Sequence, residues 1–114
     1  MPTAPRATAA LAAALVSGCL LAGAAVPAAG GELTAERRSE LAHLLRQDCG
    51  ACHGMRLTGG LGPALTPERL SGRSVEGLTQ IILNGVPDTP MPPWDRYLSR
   101  TEAAWLARQL KKGR

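Results

Sequence analysis

After residue 32, apolar side chains recur at helical spacing, and no segment alternates in the manner of a strand. Leu41, Leu45 and Cys49 lie on one stripe, with Leu44 beside it and Cys52 continuing the spacing. The pattern predicts a helix over Glu32–Cys49. Thr34 offers an N-cap oxygen, and Glu36 suits the positive helix end. His43 falls off the stripe and is expected on the surface. Gly59-Gly60 and Gly62-Pro63 forbid regular structure, so Gly54–Pro63 is expected to be loop. Thr66-Pro67-Glu68 predicts a short helical turn. Ser74 opens a further helix. Val75, Leu78 and Ile82 face inward there, Ile81 widens the stripe, and Gly85 ends it. Val86 to Trp94 reads as a proline-rich loop around Met91. Ser99-Arg100-Thr101-Glu102 is a capping box that starts the last helix, with Leu98 and Ala103 able to meet across it. Trp105, Leu106 and Leu110 form its apolar face, which Gln109 interrupts. Lys111 and Lys112 suit its negative end. The expected fold class is all-α, with three to four helices.

The N-terminus follows a different pattern. Arg6 is the only charge before Glu32, and an alanine-rich apolar stretch runs from Ala7 to Val26. Small residues follow it. This is the layout of a secretory signal, expected over 1–28 with a cut after Ala28. Residues 29–114 would then form one working domain. Val16-Ser17-Gly18-Cys19 offers a second route, in which Cys19 is lipidated. Leu20-Leu21-Ala22-Gly23 is not the polar tether usual after such a cysteine, which favours the cut after Ala28. A retained anchor ranks third, because Ser17, Gly18 and Gly23 weaken the apolar run.

A domain of about 86 residues is small for a purely apolar core. There is no Phe, and the aromatic residues are Trp94, Tyr97 and Trp105. Without Arg6 the balance is 12 basic to 9 acidic side chains. So mild a charge does not point to nucleic acid. It permits docking to an acidic protein surface, which Arg56, Arg69, Arg73, Arg96 and Arg100 would rim if they are more than solvated surface charge.

The chemistry is concentrated in Cys49-Gly50-Ala51-Cys52-His53. Cys-x-x-Cys-His is a haem attachment pattern, with two thiols to add to the vinyl groups and an imidazole to bind iron. A structural zinc site needs four ligands, and His43 and Cys19 are the only other His and Cys. A thioredoxin-like redox pair needs a βαβ context that is missing from this pattern. One covalent haem c is therefore expected, on Cys49 and Cys52, with His53 as the first axial ligand. It would also supply the flat apolar bulk that the core lacks.

The second axial position has few candidates. Met1 leaves with the signal, Met55 is too near His53 to cross the ring, and His43 lies on the attachment helix. Met91 remains by elimination. Core packing is the commoner fate of a methionine. The surrounding prolines favour ligation, because they fix the backbone of a loop that must hold still.

In this order the N-terminal helix, Cys49-x-x-Cys-His53, Gly62-Pro63-x-Leu65, Gly85, Met91-Pro92 and a last helix carrying Trp105 resemble a class I cytochrome c. The stretches Gln47 to Leu70 and Thr89-Pro90-Met91-Pro92-Pro93-Trp94 are similar to the small NirC-type periplasmic cytochromes of denitrification clusters. The resemblance implies first and last helices that cross, His53 and Met91 as axial ligands, and the Pro63 carbonyl as acceptor from His53. It implies a periplasmic, monomeric one-electron carrier that is not an enzyme by itself. Its redox partner would be a cytochrome-cd nitrite reductase or another oxidoreductase. An accessory role in maturing the d-type haem of that reductase is the alternative, and a sensor or weak peroxidase with a labile Met91 is a third. Membrane contact would arise only through a lipidated Cys19 or a retained signal.

Overall fold

The structure, a computed structural model, describes Met1, Thr3 and residues 31–113. Nearly all of the expected signal at 1–28 lies outside the described residues. No strand occurs among the described residues. No described helix is long and apolar enough to cross a membrane.

Helix α1 spans Ala35–Leu44. It starts three residues later than the pattern predicts, because Thr34 is the true cap: its Oγ1 accepts the Arg37 N–H at 3.1 Å. The helix does not stop at Cys49. A π-helical turn, Leu45–Cys49, leads directly into a last turn, α2, at Gly50–His53. The wider turn changes which residue faces the core. Leu41 and Leu45 are buried, and the next buried position is Gly50, five residues on. Cys49, Cys52 and His53 are thereby left half-buried rather than in line with the leucine stripe. Such π turns often mark functional positions in helices. His43 is exposed, as expected.

Helix α3 covers Val75–Asn84 and α4 covers Arg100–Lys112. Ser74 caps α3 through the Gly77 N–H at 3.0 Å. The Thr66 segment makes a single turn closed by Leu70 N–H to Thr66 carbonyl at 3.0 Å. Helix α4 packs on both α3 and α1. Ala103 and Ala107 are fully buried, so the helices approach closely there, with Leu41 and Leu106 completing the contact. Leu57, Leu70, Leu78, Leu98 and Leu110 join the same core. Lys111 fastens the C-terminus by donating to the carbonyls of Leu70 at 2.9 Å and Arg73 at 2.6 Å.

The capping box of α4 also serves tertiary structure. Ser99 Oγ accepts the Glu102 N–H at 3.3 Å, and Glu102 Oε2 accepts the Ser99 N–H at 2.7 Å. Glu102 Oε1 accepts Arg37 Nε at 2.5 Å, which ties α4 to α1. Burial pushes the Glu102 carboxyl up, but the bonds from Arg37 and Ser99 outweigh it and hold the group below its ordinary value. The carboxylate therefore stabilises the fold above the ordinary range, and that contribution is lost as pH falls through the lowered value. Glu102→Gln is expected to cost about 1–2 kcal/mol at pH 7. The gap to wild type should begin to shrink below about pH 4.5 and close once pH has passed the lowered value, where both chains carry a neutral group. Denaturant melts at neutral and acid pH check this. An equal gap at both would contradict it.

Candidate haem-binding site

Three segments carry the candidate ligands. The π turn and α2 present Cys49, Cys52 and His53 on successive turns. Both cysteines are free thiols. They stand where thioethers would be in the attached form. Burial, reinforced by the charge of Asp48, pushes the Cys49 thiol up to about 11, so it is neutral at pH 7.

The loop after His53 folds back onto α2. Gly59 N–H donates to the His53 carbonyl at 2.9 Å, and Gly62 N–H to the Cys52 carbonyl at 2.8 Å. These bonds satisfy carbonyls that a helix end otherwise leaves open. Leu57 anchors the loop: it is buried, at φ 60°, and its carbonyl accepts the Leu65 N–H at 2.8 Å. A leucine in the left-handed region costs about 1–2 kcal/mol, which its burial offsets.

This fold-back orients the imidazole. His53 Nδ1 lies 2.7 Å from the Pro63 carbonyl oxygen. A carbonyl has no proton to give, so Nδ1 carries the hydrogen and donates it. Nε2 keeps its lone pair, the state a metal-binding histidine requires. Gly62 makes the approach possible. A Cβ there would sit 2.8 Å from His53 Cε1 and Nδ1.

Met91 belongs to a separate loop that returns to the end of α3. Trp94 N–H donates to the Ile82 and Leu83 carbonyls at 3.1 Å. Gly85 ends α3 at φ 66°, and a Cβ on it would meet the Met91 carbonyl oxygen at 2.7 Å. Gly85 is thus more than a helix stop, because it lets the Met91-Pro92 backbone lie against the helix end. Met91 itself is half-buried. Among the described residues, no hydrogen bond joins its loop to the Cys49–His53 segment.

The residues present suit a flat apolar group with a metal at its centre. Cys49, Leu65, Ile82, Leu83 and Trp94 pack against the core but remain partly open. They come from the π turn, the loop after His53, α3 and the Met91 loop. A separate cavity of about 190 Å³ lies between α1 and α4, lined by Ala42, Leu45, Trp105 and Gln109 among others. None of Cys49, Cys52, His53, Pro63 or Met91 lines it, so it is not the seat of that group. Among the five arginines considered for docking, Arg100 is committed to Glu76, and all five are exposed.

Helices around a half-buried Cys-x-x-Cys-His turn, with an imidazole held by a Gly-Pro carbonyl, define a c-type cytochrome of class I. Residues 36–108 match the family described as cytochrome C oxidase, cbb3-type, subunit III. The chain is 58% identical over 79 residues to cytochrome c55X of Pseudomonas aeruginosa, covering 69% of this chain and 66% of that relative. It thus spans just under two thirds of that relative's length. It is 52% identical over 93 residues to cytochrome c55X of Paracoccus denitrificans, covering 82% of this chain and 87% of the relative. Of solved structures, the c-type cytochrome NirC superimposes with a TM-score of 0.69 at 57% identity, over 71% of this chain and 95% of that one. Dihydro-heme d1 dehydrogenase NirN, in complex with DHE, superimposes with a TM-score of 0.59 at 37% identity. That match takes in 64% of this chain and 16% of NirN. The chain belongs to this cytochrome family, as a small NirC-like c-type cytochrome. Its cofactor is covalently attached haem c.

The residues themselves pointed to Cys49, Cys52, His53 and Met91, and the resemblance added Pro63. The sequence reading missed the Gly62–imidazole contact and the Gly85–Met91 contact. It also missed Thr89, whose position two residues before Met91 is a signal for a hydroxyl-closed turn.

Proposed function

We propose that this chain is an exported one-electron carrier that passes electrons to a cytochrome-cd nitrite reductase. Residues 29–114 form the working cytochrome domain, with 1–28 removed on export. Cys49 and Cys52 hold the haem, His53 and Met91 bind its iron, and Pro63 keeps the imidazole in its ligating tautomer. Bound haem c supplies a ferric/ferrous couple, and a methionine in the ligand set raises its potential.

The observation that carries the reading is the 2.7 Å contact from His53 Nδ1 to the Pro63 carbonyl, which readies Nε2 for iron. Pinning Met91 on a loop fixed to α3 supports the rest. With His53 and Met91 both bound to the iron, no place would remain for a substrate at the metal, which suits a carrier rather than an enzyme. Similarity to NirC and to cytochrome c55X of Paracoccus denitrificans supports a place in denitrification. The modest positive charge supports steering toward an acidic partner face.

The likeness to part of dihydro-heme d1 dehydrogenase favours a second reading, service to the maturation of a d-type haem. Stopped-flow mixing of the reduced protein with purified nitrite reductase separates the two. The donor reading expects rapid reduction of the reductase that slows as salt rises. A deletion strain whose reductase is reduced normally but lacks d-type haem would overturn it in favour of maturation.

A further inference from the structure

The loop that carries Met91 closes on itself through one side chain. Thr89 Oγ1 donates to the Val86 carbonyl at 2.7 Å and accepts the Met91 N–H at 3.3 Å. The Val86 N–H returns to the Met91 carbonyl at 3.1 Å. Both backbone polar groups of Met91 are therefore held inside the loop, one by Val86 and one by the Thr89 hydroxyl. Pro87, Pro90, Pro92 and Pro93 have no N–H to add. Among the described residues, Thr89 gives the loop its only side-chain hydrogen bonds. Asp88, beside it, sits at φ 61°. Aspartate tolerates that region in turns, and the Thr89 bonds to Val86 close the turn around it.

We propose that Thr89 is a positioning residue for Met91. Its hydroxyl latches the Val86 carbonyl to the Met91 amide and so sets where the thioether is presented. This rests on the reading of Met91 as an iron ligand. The threonine never touches the metal, and it acts through the geometry of the loop alone. Without the latch, the ring is closed by Val86 N–H and by Thr89 N–H to Val86 carbonyl at 3.3 Å, and Met91 leaves the iron more often.

Imidazole competes with the methionine for ferric iron, so its apparent dissociation constant reports how firmly Met91 is held. The probe is titrated into the oxidised holoprotein while the weak far-red sulfur-to-iron charge-transfer band is followed. Thr89→Val keeps the shape and removes the hydroxyl. It is expected to bind imidazole about three- to tenfold more tightly than wild type, the range for one or two exposed hydrogen bonds. Thr89→Ser should stay within about twofold of wild type. Should the valine variant yield no holoprotein, Thr89→Ala makes the same comparison. A hydroxyl-free variant that titrates as wild type does, or a serine variant that binds imidazole as tightly as a weakened hydroxyl-free variant, overturns the latch and leaves the ligand reading standing. A wild-type protein with no far-red band overturns the Met91 reading, and the latch with it.

Discussion

Replacing Cys49 and Cys52 together by serine is expected to leave no covalently held haem in the protein. A hydroxyl does not form the thioether, and the chain offers no other described cysteine to replace them. Each single variant keeps one possible link and should retain a reduced amount. Haem-staining of boiled, denatured protein and a pyridine haemochrome assay measure the difference. The loss should extend to the fold. The domain is small, and Leu65, Ile82, Leu83 and Trp94 are only partly covered by protein atoms. Accumulation of the double variant should therefore fall well below wild type. Haem that survives denaturation of the double variant would contradict the attachment.

Met91→Ala should have the second-largest effect. The far-red band is expected to vanish, the ferrous protein to bind carbon monoxide within seconds, and the potential to drop because the methionine no longer raises it. The fold should survive. The loop is held to α3 by backbone bonds from Trp94 and Asp95, and Met91 is only half-buried. Retention of the band in this variant would remove Met91 from the ligand set and leave core packing as its role.

Much of the fold was legible because its signals are local. Thr34, Ser74 and Ser99 each bond the backbone three residues on, and those residue types announce caps without reference to the rest of the molecule. The π turn was not legible. A periodicity reading assumes 3.6 residues per turn, so it placed Cys49 in line with Leu41 and Leu45. The structure advances the buried line to Gly50 instead. Leu57 gave no warning either, since leucine carries no preference for positive φ and its conformation is imposed by the loop around it.

The site divides in the same manner. Cys49, Cys52 and His53 declare themselves because attachment needs those residue types at that spacing. The place of Pro63 came from the resemblance alone. Its contact depends on the backbone path through Gly60, Leu61 and Gly62, which no residue type encodes. Gly62 and Gly85 look alike in the sequence as turn residues. In three dimensions one clears space for an imidazole and the other for the Met91 carbonyl. The arginine rim fares least well, since exposed charge is common and Arg100 already has a partner in Glu76.

On the proposed ligation the chain itself would fill both axial positions of the iron, as suits an electron carrier. The most direct test is to mix the reduced wild-type protein with carbon monoxide and record its Soret spectrum. With His53 and Met91 as the proposed pair of iron ligands, no change is expected over minutes. A rapid shift to a carbon monoxide complex would show an open or labile position, and with it a sensor or a peroxidase in place of a carrier.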